Sequence, residues 1–398
     1  MQEFKVPSSK SISNRLLIIQ YLSETKAKIN NLSTAQDTIL LQNLLNQIET
    51  NPLNTFHCQN AGTVTRFLIG LLALKEGSWE IDGDKRMRER PIKPLLEALQ
   101  TLGAEITYLS KPHHLPLRII GGKLKKDKHI EIDTTISSQH LSSLLLISPY
   151  IKGITLSTNN NSVSQPYIEM TLALMQEHGA KLKQIKNKIT ILHSPYTFKE
   201  CQVESDWSSV CFAYEKLCIM QKGELYIKGL MPNSLQADKI AQKYYLSLGI
   251  ESLFKDNNLI ITYNPKAVSQ QKHLVFNIQN NPDIFPCLAV AGLLSGKKIS
   301  FEGISNLKYK ESNRIEAVHN GIKTLGADVK ISQNTFTIEP FNKQNDLLEN
   351  SNHLIIKTYN DHRIAMAFGL LSLKYPQIKV DDNACVNKSF PNFWENIQ

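Results

Sequence analysis

Cationic and hydroxyl side chains cluster at several points of this sequence where a helix is predicted to begin. In the first cluster, Lys10 and Arg15 flank Ser11 at the start of an apolar helical pattern. An ammonium, a guanidinium, hydroxyl donors and the free N–H groups of a helix N-terminus together suit a bound phosphate. The residue types therefore indicate an anion site, although a capped surface helix would produce the same pattern.

The next two clusters also lie at predicted helix starts. One contains a glycine in the first turn, and the other contains three arginines. Gly62 lies in the predicted first turn of the helix after Asn60, where glycine weakens the helix but lets a ligand approach the backbone. Arg86, Arg88 and Arg90 come directly before the next helix. Both clusters fit the same anion chemistry; a plain helix cap and a solvated charge run are the alternatives.

The second half of the chain mixes acidic residues with the cations. Asp283 opens one apolar helix, and Lys310, Glu311 and Arg314 share a strand-to-helix junction. Each of these clusters alone could be a helix cap or a solvated face. Weaker signals of the same kind are Ser137, Ser138, Gln139, Arg363 and, near the C-terminus, Lys388.

A repeat connects the clusters. Four helices end at Gly103, Gly179, Gly249 and Gly326, at intervals of 76, 70 and 77 residues, where glycine is a favourable C-cap. Helices of a second kind begin with small polar residues at positions 60, 137, 206, 283 and 361, at intervals of 77, 69, 77 and 78 residues. Weaker copies add residues 9–22 to the second kind, and residues 37–48 and 390–397 to the first. The alternation of the two kinds predicts six repeats.

Each repeat is predicted to fold as β-α-β-α-β-β, with the first repeat shortened between Ile48 and Cys58. Six repeats suit two similar domains of three, which we place at residues 9–204 and at residues 1–8 with 205–398. The predicted fold class is therefore α/β, with two similar domains around a cleft. Helix N-termini that converge on such a cleft would attract anions.

Composition limits the classes of function. The 398 residues carry a formal net charge of +9, and 41% of them are hydrophobic. No apolar run reaches the length of a membrane span, and the N-terminus lacks a signal-peptide pattern, so we expect a cytoplasmic protein. The six cysteines lack zinc-binding spacing and are expected to be buried thiols. A lysine-rich surface, a nucleic-acid partner and a cleft for polyanionic small molecules all fit the charge.

In chain order, the clusters resemble the motifs of the 5-enolpyruvylshikimate-3-phosphate synthase family, the 3-phosphoshikimate 1-carboxyvinyltransferases. Lys-Glu-Ser-Asn-Arg at residues 310–314 and Tyr-Asn-Asp-His-Arg at residues 359–363 are the most specific matches. The resemblance implies the enolpyruvyl transferase fold, with two domains of three β-α-β-α-β-β units and an active site in the interdomain cleft. It rests on residues 9–15, 60–66, 86–91, 137–139, 164–167, 206–209, 310–314, 359–363 and 388–391.

The resemblance also implies a reaction. Members of the family transfer the enolpyruvyl group of phosphoenolpyruvate to the 5-hydroxyl of shikimate 3-phosphate and release phosphate. The reaction belongs to the shikimate pathway to chorismate and the aromatic amino acids, and glyphosate inhibits it. By resemblance we expect two small-molecule substrates and a monomer, with no metal, no organic cofactor, no nucleic acid and no membrane partner.

The family's functional residues carry over by position. The resemblance implies that shikimate 3-phosphate is held by Lys10, Ser11, Arg15, Ser137, Ser138, Ser164, Tyr167, Asp283, Asn306 and Lys310. It implies that phosphoenolpyruvate is held by Lys10, Gly62, Arg90, Gln139, Arg314, Arg363 and Lys388. Asp283 is the expected base for the 5-hydroxyl, and Glu311 is the expected acid for the methylene carbon, with Lys10 as the competing acid.

Some positions depart from the family pattern. Gln165 stands where many members have lysine, and Ser8 replaces a glycine. Two other functions remain open: the related UDP-N-acetylglucosamine enolpyruvyl transferase, and a non-catalytic relative that binds anions or RNA. Ser11 and Arg15 argue against the first, because that enzyme lacks this phosphate site. The presence of both Asp283 and Glu311 argues against the second.

Overall fold

Two structural units share the chain, which the computed structural model describes over residues 2–50, 54–125, 128–158, 163–256, 258–340 and 353–397. The N-terminal unit comprises Lys10–Val203. The C-terminal unit comprises Met1–Ser9 together with Glu204–Gln398. Each unit encloses a hydrophobic core of its own.

Helices and strands alternate through the N-terminal unit. Strand β1 (Gln2–Glu3) precedes this unit and belongs to the C-terminal one. The N-terminal unit then contains α1 (Lys10–Leu22), β2 (Ile29–Asn30), α2 (Gln36–Thr50), β3 (Thr55–His57), α3 (Gly62–Leu74), β4 (Gly77–Asp82), α4 (Lys85–Glu89), α5 (Lys93–Thr101), β5 (Glu105–Tyr108), β6 (Leu117–Gly121), β7 (Lys128–Ile132), α6 (Gln139–Ile147), β8 (Ile154–Thr158), α7 (Gln165–Glu177), β9 (Leu182–Ile185), β10 (Lys188–Ile191) and β11 (Cys201–Gln202).

The C-terminal unit repeats this alternation. It contains α8 (Trp207–Met220), β12 (Glu224–Ile227), α9 (Ala241–Leu246), β13 (Ile250–Lys255), β14 (Asn258–Tyr263), β15 (His273–Asn277), α10 (Phe285–Leu293), β16 (Lys298–Glu302), α11 (Arg314–Thr324), β17 (Val329–Ile331), β18 (Thr335–Ile338), β19 (Leu354–Ile356), α12 (His362–Leu370) and β20 (Ile378–Val380).

Four sheets have one and the same topology, as the repeat predicts. Their strand orders are β3-β4-β6-β5, β7-β8-β10-β9, β1-β12-β14-β13 and β15-β16-β18-β17. In each sheet the first two strands are parallel and the other neighbours are antiparallel. A parallel pair needs a long crossover connection, which is a helix such as α3 or α6, whereas antiparallel strands can follow each other directly. The architecture is therefore α/β, built from β-α-β-α-β-β repeats.

Two repeats are smaller than predicted. Among the described residues, the sheets β2–β11 and β19–β20 each contain only one parallel pair. In the first of these repeats α2 ends at Thr50 and β3 begins at Thr55, so no length remains for two more strands, in agreement with the predicted shortening. In the last repeat the predicted helix over residues 390–397 is wrong. Only a 3₁₀ turn forms there, at Phe393–Asn396, because the few residues that follow Pro391 are not enough for a stable α-helix.

Each unit takes one strand from a distant part of the chain. Strand β1 pairs with β12, so that Gln2 lies opposite Leu225, and β11 pairs with β2. The segments that lead into and out of the N-terminal unit also pair with each other. The N–H of Ser9 donates to the carbonyl of Glu204 at 2.8 Å. Ser9 and Glu204 both belong to the C-terminal unit, so this contact lies within that unit.

The two kinds of helix differ in burial. Helices α3, α6, α8, α10 and α12 are apolar and buried on nearly all sides. Helix α3 packs on α6, and α10 packs on α8 and α12. Helices such as α5 bury only one face. The polar clusters at the N-termini of these five buried helices therefore lie directly on the hydrophobic cores. No helix within the described ranges is long and apolar enough to cross a membrane.

Glu215 is an unexpected residue in the core of the C-terminal unit. It lies in α8 and is 0% exposed, and neither carboxyl oxygen has a hydrogen-bond partner among the described residues. Burial, and secondarily Cys287, raises the pKa of Glu215 well above its usual value. Buried polar groups without partners cost stability. The carboxyl group must therefore keep its proton in the folded protein, whereas in the unfolded chain it ionises in water.

We expect Glu215→Met to raise the free energy of unfolding at pH 7.5 by about 1–3 kcal/mol, because a similar shape replaces an unpaired polar group. A raised folded-state pKa means that stability is lost as pH rises above the unfolded-state value near 4.5, so the gain should shrink toward pH 4.5. Denaturant unfolding at both pH values measures this. Glu215→Gln is the control, since it removes only the ionisation. Destabilisation by both variants would contradict the prediction.

Candidate active site

In the C-terminal unit one buried arginine gathers three carboxylates. Arg314 begins α11 and is 1% exposed. Its Nη1 donates to Asp283 at 2.8 Å, its Nη2 to Glu311 at 2.8 Å and its Nε to Asp361 at 2.9 Å. A single guanidinium therefore holds Asp283 and Glu311, the two predicted acid–base residues, in one cluster.

Asp283 lies among three cations. Besides the contact with Arg314, its carboxylate lies 3.1 Å from Nη2 of Arg363 and 3.6 Å from Nζ of Lys310. Burial alone would raise the pKa of Asp283, but Arg363, Lys310 and Arg314 outweigh burial and hold that pKa well below its usual value. The carboxylate is therefore ionised at neutral pH and can accept a hydrogen bond from a hydroxyl group.

Asp361 organises the start of α12. It is fully buried, and its carboxylate accepts from the backbone N–H of Arg363 at 3.0 Å and from the hydroxyl of Ser312 at 3.0 Å. Tyr359 and Asn360 before it have φ values of 55° and 54°, in the left-handed region that non-glycine residues seldom adopt. Sequence reasoning included Asp361 in a motif without giving it a role. Its position as the residue before a helix, next to an arginine, was the available signal.

The other predicted residues of this unit lie on 3₁₀ turns. Asn306 precedes the turn Leu307–Tyr309, and Lys388 ends the turn Ala384–Lys388. Asn306 is 2% exposed, and its Oδ1 has no hydrogen-bond partner in the part of the chain that the structure describes. Buried amide oxygens are nearly always paired in proteins, so this oxygen is a candidate acceptor for a ligand or a water molecule.

In the N-terminal unit, Arg15 is buried without a carboxylate partner among the described residues. It is 2% exposed, and its Nε donates to the hydroxyl of Thr171 at 2.7 Å. Its other nitrogens donate to the carbonyls of Ser11 at 2.9 Å and Tyr167 at 3.2 Å. Burial lowers the pKa of Arg15 to about 10, so the side chain is still charged at neutral pH. A buried charge without a counter-ion is costly, and a bound anion would offset that cost.

The predicted hydroxyl ligands of the N-terminal unit lie at helix starts. Ser164 is the N-cap of α7 and has a φ of 56°, in the left-handed region. Arg15 brings α1 and α7 together, because its partners include Ser11 on α1 and Tyr167 on α7. In the first turn of α1, α6 or α7, or directly before that turn, the structure places Ser11, Ser137, Ser138, Ser164 and Tyr167.

Lys10 has an acidic partner that sequence reasoning missed. Its Nζ lies 2.9 Å from Oδ2 of Asp37, at the start of α2. Asp37 is 5% exposed. An ion pair of this kind holds the ammonium in the protonated form and in one position. The sequence placed residue 37 at the start of a weak helix copy and gave Asp37 no role, and its distance of 27 residues from Lys10 hid the pairing.

The start of α3 carries two buried guanidinium groups. Nη1 of Arg66 donates to the carbonyl of Gly62 at 3.0 Å and to Oε1 of Gln139 at 2.9 Å. Nη1 of Arg90 lies 3.4 Å from the carbonyl of Asn60. Gly62, Arg90 and Gln139, three of the predicted phosphoenolpyruvate ligands, are therefore brought together around Arg66. Arg66 lies within the sequence motif at residues 60–66, but the sequence alone assigned it no role.

The side chains around Gly62 leave no room for a Cβ. A Cβ at this position would lie 2.6 Å from Nη2 of Arg90 and 2.7 Å from Nη1 of Arg66. Both guanidinium groups are buried, so neither can move aside freely. A methyl group here would therefore disturb the cations of the cluster directly.

We expect Gly62→Ala to raise the KM for phosphoenolpyruvate about tenfold, the equivalent of one weakened charge-assisted hydrogen bond. The KM for shikimate 3-phosphate should stay within about twofold, because Arg15 and its partners do not contact Gly62. Steady-state kinetics with each substrate varied in turn measures both. Equal shifts in the two constants would contradict a role of this cluster in binding one substrate.

The described residues offer no group of three or more His, Cys, Asp or Glu side chains that could hold a metal ion. All six cysteines are free thiols. Burial raises the pKa of Cys58 to about 12 and that of Cys201 to about 11, so these thiols are poor nucleophiles at neutral pH. The candidate chemistry of both units is therefore anion binding by arginine and lysine, with carboxylates positioned for proton transfer.

Known proteins with similar sequences and structures share one description. A sequence model of the family EPSP synthase (3-phosphoshikimate 1-carboxyvinyltransferase) matches residues 42–397. The 3-phosphoshikimate 1-carboxyvinyltransferase of Bacteroides fragilis is 33% identical over 396 residues, which cover 99% of this chain and 94% of the relative. That of Buchnera aphidicola subsp. Cinara cedri is also 33% identical, with the same coverage.

The solved structure of EPSP synthase from Acinetobacter baumannii superposes with a TM-score of 0.75. The superposition covers 99% of this chain and 94% of the Acinetobacter chain at 22% sequence identity, a likeness that supports the fold alone. The family match extends over most of the sequence, and the relatives align from end to end. The chain belongs to the EPSP synthase (3-phosphoshikimate 1-carboxyvinyltransferase) family.

Proposed function

We propose that this protein is a 3-phosphoshikimate 1-carboxyvinyltransferase of the shikimate pathway. It transfers the enolpyruvyl group of phosphoenolpyruvate to the 5-hydroxyl of shikimate 3-phosphate and releases inorganic phosphate. The observation that carries the proposal is the shared contact of Asp283 and Glu311 with the buried guanidinium of Arg314. Membership of the family supports the same reaction.

Charge complementarity supports these substrates. Together they bring two phosphates and two carboxylates, which require several cations and hydrogen-bond donors. Arg15 supports a phosphate site because it is buried and lacks a carboxylate partner among the described residues. Shikimate 3-phosphate is assigned to Lys10, Ser11, Arg15, Ser137, Ser138, Ser164, Tyr167, Asp283, Asn306 and Lys310. Phosphoenolpyruvate is assigned to Lys10, Gly62, Arg90, Gln139, Arg314, Arg363 and Lys388.

The first chemical step is an addition. The 5-hydroxyl oxygen attacks C2 of phosphoenolpyruvate and loses its proton to Asp283. Glu311 enters this step in its protonated form and gives that proton to C3, which becomes a methyl group. In the second step the bond between C2 and the phosphate oxygen breaks, and phosphate leaves with the bonding electrons and with the proton that Asp283 accepted in the first step. The methyl group loses a proton to Glu311, which restores the C2–C3 double bond. The protein's carboxyl groups thus account for every proton, and no redox partner is needed.

Substrate binding would also adjust the basicity of Asp283. In the structure, three cations hold the pKa of its carboxylate well below the usual value, which makes it a weak base. Anionic substrate groups that bind Arg314 and Arg363 would offset part of that positive field and raise the pKa of Asp283 toward the value that favours proton transfer. The base would therefore become effective when the anions are in place.

Lys10 is the weaker candidate for the acid. Its ammonium is paired with Asp37 at 2.9 Å, and a proton shared with a nearby carboxylate is harder to release. We assign it to substrate binding, where a fixed positive charge is useful.

A phosphate-release assay tests the function. The full-length protein is incubated with phosphoenolpyruvate and shikimate 3-phosphate, and inorganic phosphate is measured together with the enolpyruvyl product. The control replaces shikimate 3-phosphate with UDP-N-acetylglucosamine. Release only with shikimate 3-phosphate supports the proposal, and release only with the nucleotide sugar would identify the alternative transferase. Binding of either anion with no turnover under any condition would favour a non-catalytic anion-binding protein.

A further inference from the structure

Asp238 is a buried acid close to the Asp283 cluster that the reaction does not use. It lies in the 3₁₀ turn Ala237–Ile240 and is 1% exposed. Its Oδ2 accepts from the hydroxyl of Ser208 at 2.5 Å, and its Oδ1 accepts from Nδ2 of Asn281 at 3.2 Å. The carboxylate therefore joins three elements: its own turn, the first turn of α8 and the segment before α10.

The contact with Asn281 leads directly to Asp283. Asn281 precedes the turn Pro282–Ile284, and its side chain is bound by Asp238 rather than by its own helix. Pro282 has a restricted φ, so the orientation of Asn281 is passed to the next residue with little freedom. Asn281 is 6% exposed and cannot exchange this partner for bulk water without a local opening.

The charges around Asp238 come from every element packed on it. Asp283 faces it from the turn before α10, Arg363 from α12, and the thiol of Cys211 from α8. Burial, and then the negative charge of Asp283, raise the pKa of Asp238 to about 6, against the opposing effects of Ser208, Arg363 and Asn281. The carboxyl group therefore changes its charge within the range in which an enzyme can be assayed.

We propose that Asp238 is a positioning residue that sets the place of the Asp283 carboxylate through Asn281 and supplies a second negative charge toward Arg363. Only the ionised form has two oxygens that both accept hydrogen bonds. Protonation turns one acceptor into a donor, which the Ser208 hydroxyl can still accept, but it removes the negative charge that strengthens the contact with Asn281 and attracts Arg363. The turn that carries Asp283 is then less well fixed, and the proposed base reaches the substrate hydroxyl less often. This inference rests on the proposed function for its kinetic consequence only.

Asp238→Asn tests the idea, because asparagine has the shape of the acid and is neutral at every pH. We expect kcat of the variant to be about tenfold below that of the parent at pH 7.5 and to approach it at pH 5, where the parent is protonated too. The ratio of the kcat of the parent to the kcat of the variant is compared from pH 5 to pH 8, since the ionisation of the substrates affects both enzymes equally and cancels in that ratio. The KM values should change by less than about threefold.

A second variant separates positioning from charge. Asn281→Ala removes the link but keeps the charge of Asp238. It should lower kcat by a similar factor at pH 7.5, and its kcat should approach that of the parent toward pH 5, where protonated Asp238 no longer fixes Asn281 in the parent. A ratio for Asp238→Asn that is constant across the pH range, or parent-like activity of Asn281→Ala at pH 7.5, would overturn the proposal.

Thermal unfolding gives a readout that does not depend on turnover. A raised folded-state pKa means that the parent loses stability relative to Asp238→Asn as pH rises from about 4 to about 6. The difference in Tm between the two proteins should follow that course. If the parent has no transferase activity, the proposed function fails, while this comparison still reports on Asp238. A pH-independent difference in Tm would show that Asp238 does not titrate as inferred.

Discussion

Asp283→Asn and Glu311→Gln are each expected to lower kcat by about 10²–10⁴-fold, the range that follows from loss of one general acid or base. Both substitutions keep the size of the side chain and one acceptor oxygen toward Arg314, which holds the two carboxylates at 2.8 Å in the parent. What they remove is the group that takes or gives the proton. The substrates should still bind, since most of the proposed cationic ligands are untouched.

Calorimetric titration with shikimate 3-phosphate measures binding, and single-turnover phosphate release measures chemistry. Glu316→Gln is the matched control for Glu311→Gln, because Glu316 lies in the first turn of α11, five residues after Glu311, but is exposed. It should leave kcat within about twofold. Near-normal turnover of Asp283→Asn and Glu311→Gln would refute the acid–base assignment, and loss of binding in both would mean that the carboxylates mainly hold the arginines in place.

The repeat was the part of the fold that could be predicted from the sequence. Helix-capping glycines such as Gly103 and Gly326 are local signals, since a left-handed φ favours glycine whatever surrounds it, and the structure gives these residues φ values of 101° and 84°. Small polar residues before apolar helices are equally local. Regular spacing of such signals therefore predicted the order of helices and strands in each repeat, but not which strands pair.

Parts of the architecture that depend on remote contacts were not predictable. The pairing of β1 with β12 joins the first residues of the chain to the region after α8, and no local pattern in a two-residue strand encodes it. Among the described residues, the segment 390–397 of the last repeat forms only a 3₁₀ turn, because a weak helical pattern of this length needs tertiary packing to become an α-helix. Tertiary packing decided both cases.

Within the candidate site, residue types could be predicted and their partners could not. Arg314 and Glu311 are three residues apart, so their ion pair is local, although Glu311 lies before the start of α11. The contacts of Arg314 with Asp283 and Asp361 cross 31 and 47 residues of sequence and depend on the packing of α10, α11 and α12. The same holds for the role of Asp238, which lies in a segment without a motif.

Arg15 and Arg314 are both buried, but they differ in their partners, and this difference predicts opposite effects of the same substitution. Arg314 binds three carboxylates, so Arg314→Met removes the guanidinium from the fully buried Asp361 and from the partly buried Asp283 and Glu311, of which Asp283 keeps Arg363 and Lys310. Removal of one partner from a buried ion pair costs about 3–5 kcal/mol, so this variant should be severely destabilised. Arg15 has no carboxylate to leave behind among the described residues, and its partner Thr171 also donates to the carbonyl of Tyr167 at 2.8 Å.

Arg15→Met should therefore keep the stability of the parent, or exceed it by about 1 kcal/mol, because an uncompensated buried charge is replaced by an apolar side chain of similar length. It should nevertheless weaken the binding of shikimate 3-phosphate by about 10²-fold or more, the equivalent of two charge-assisted hydrogen bonds. Denaturant unfolding without ligand and calorimetric titration with shikimate 3-phosphate measure the two effects separately.

Arg15→Lys is the conservative control for the geometry of that contact. It retains the positive charge but lacks the planar pair of donors, so its affinity should lie between those of the parent and Arg15→Met. A further check is the stabilisation by ligand: saturating shikimate 3-phosphate should raise the Tm of the parent and leave that of Arg15→Met nearly unchanged. A variant that unfolds easily yet binds normally would show that Arg15 joins α1 to α7 and does nothing else. A stable variant that no longer binds would identify Arg15 as a phosphate ligand whose counter-ion is the substrate.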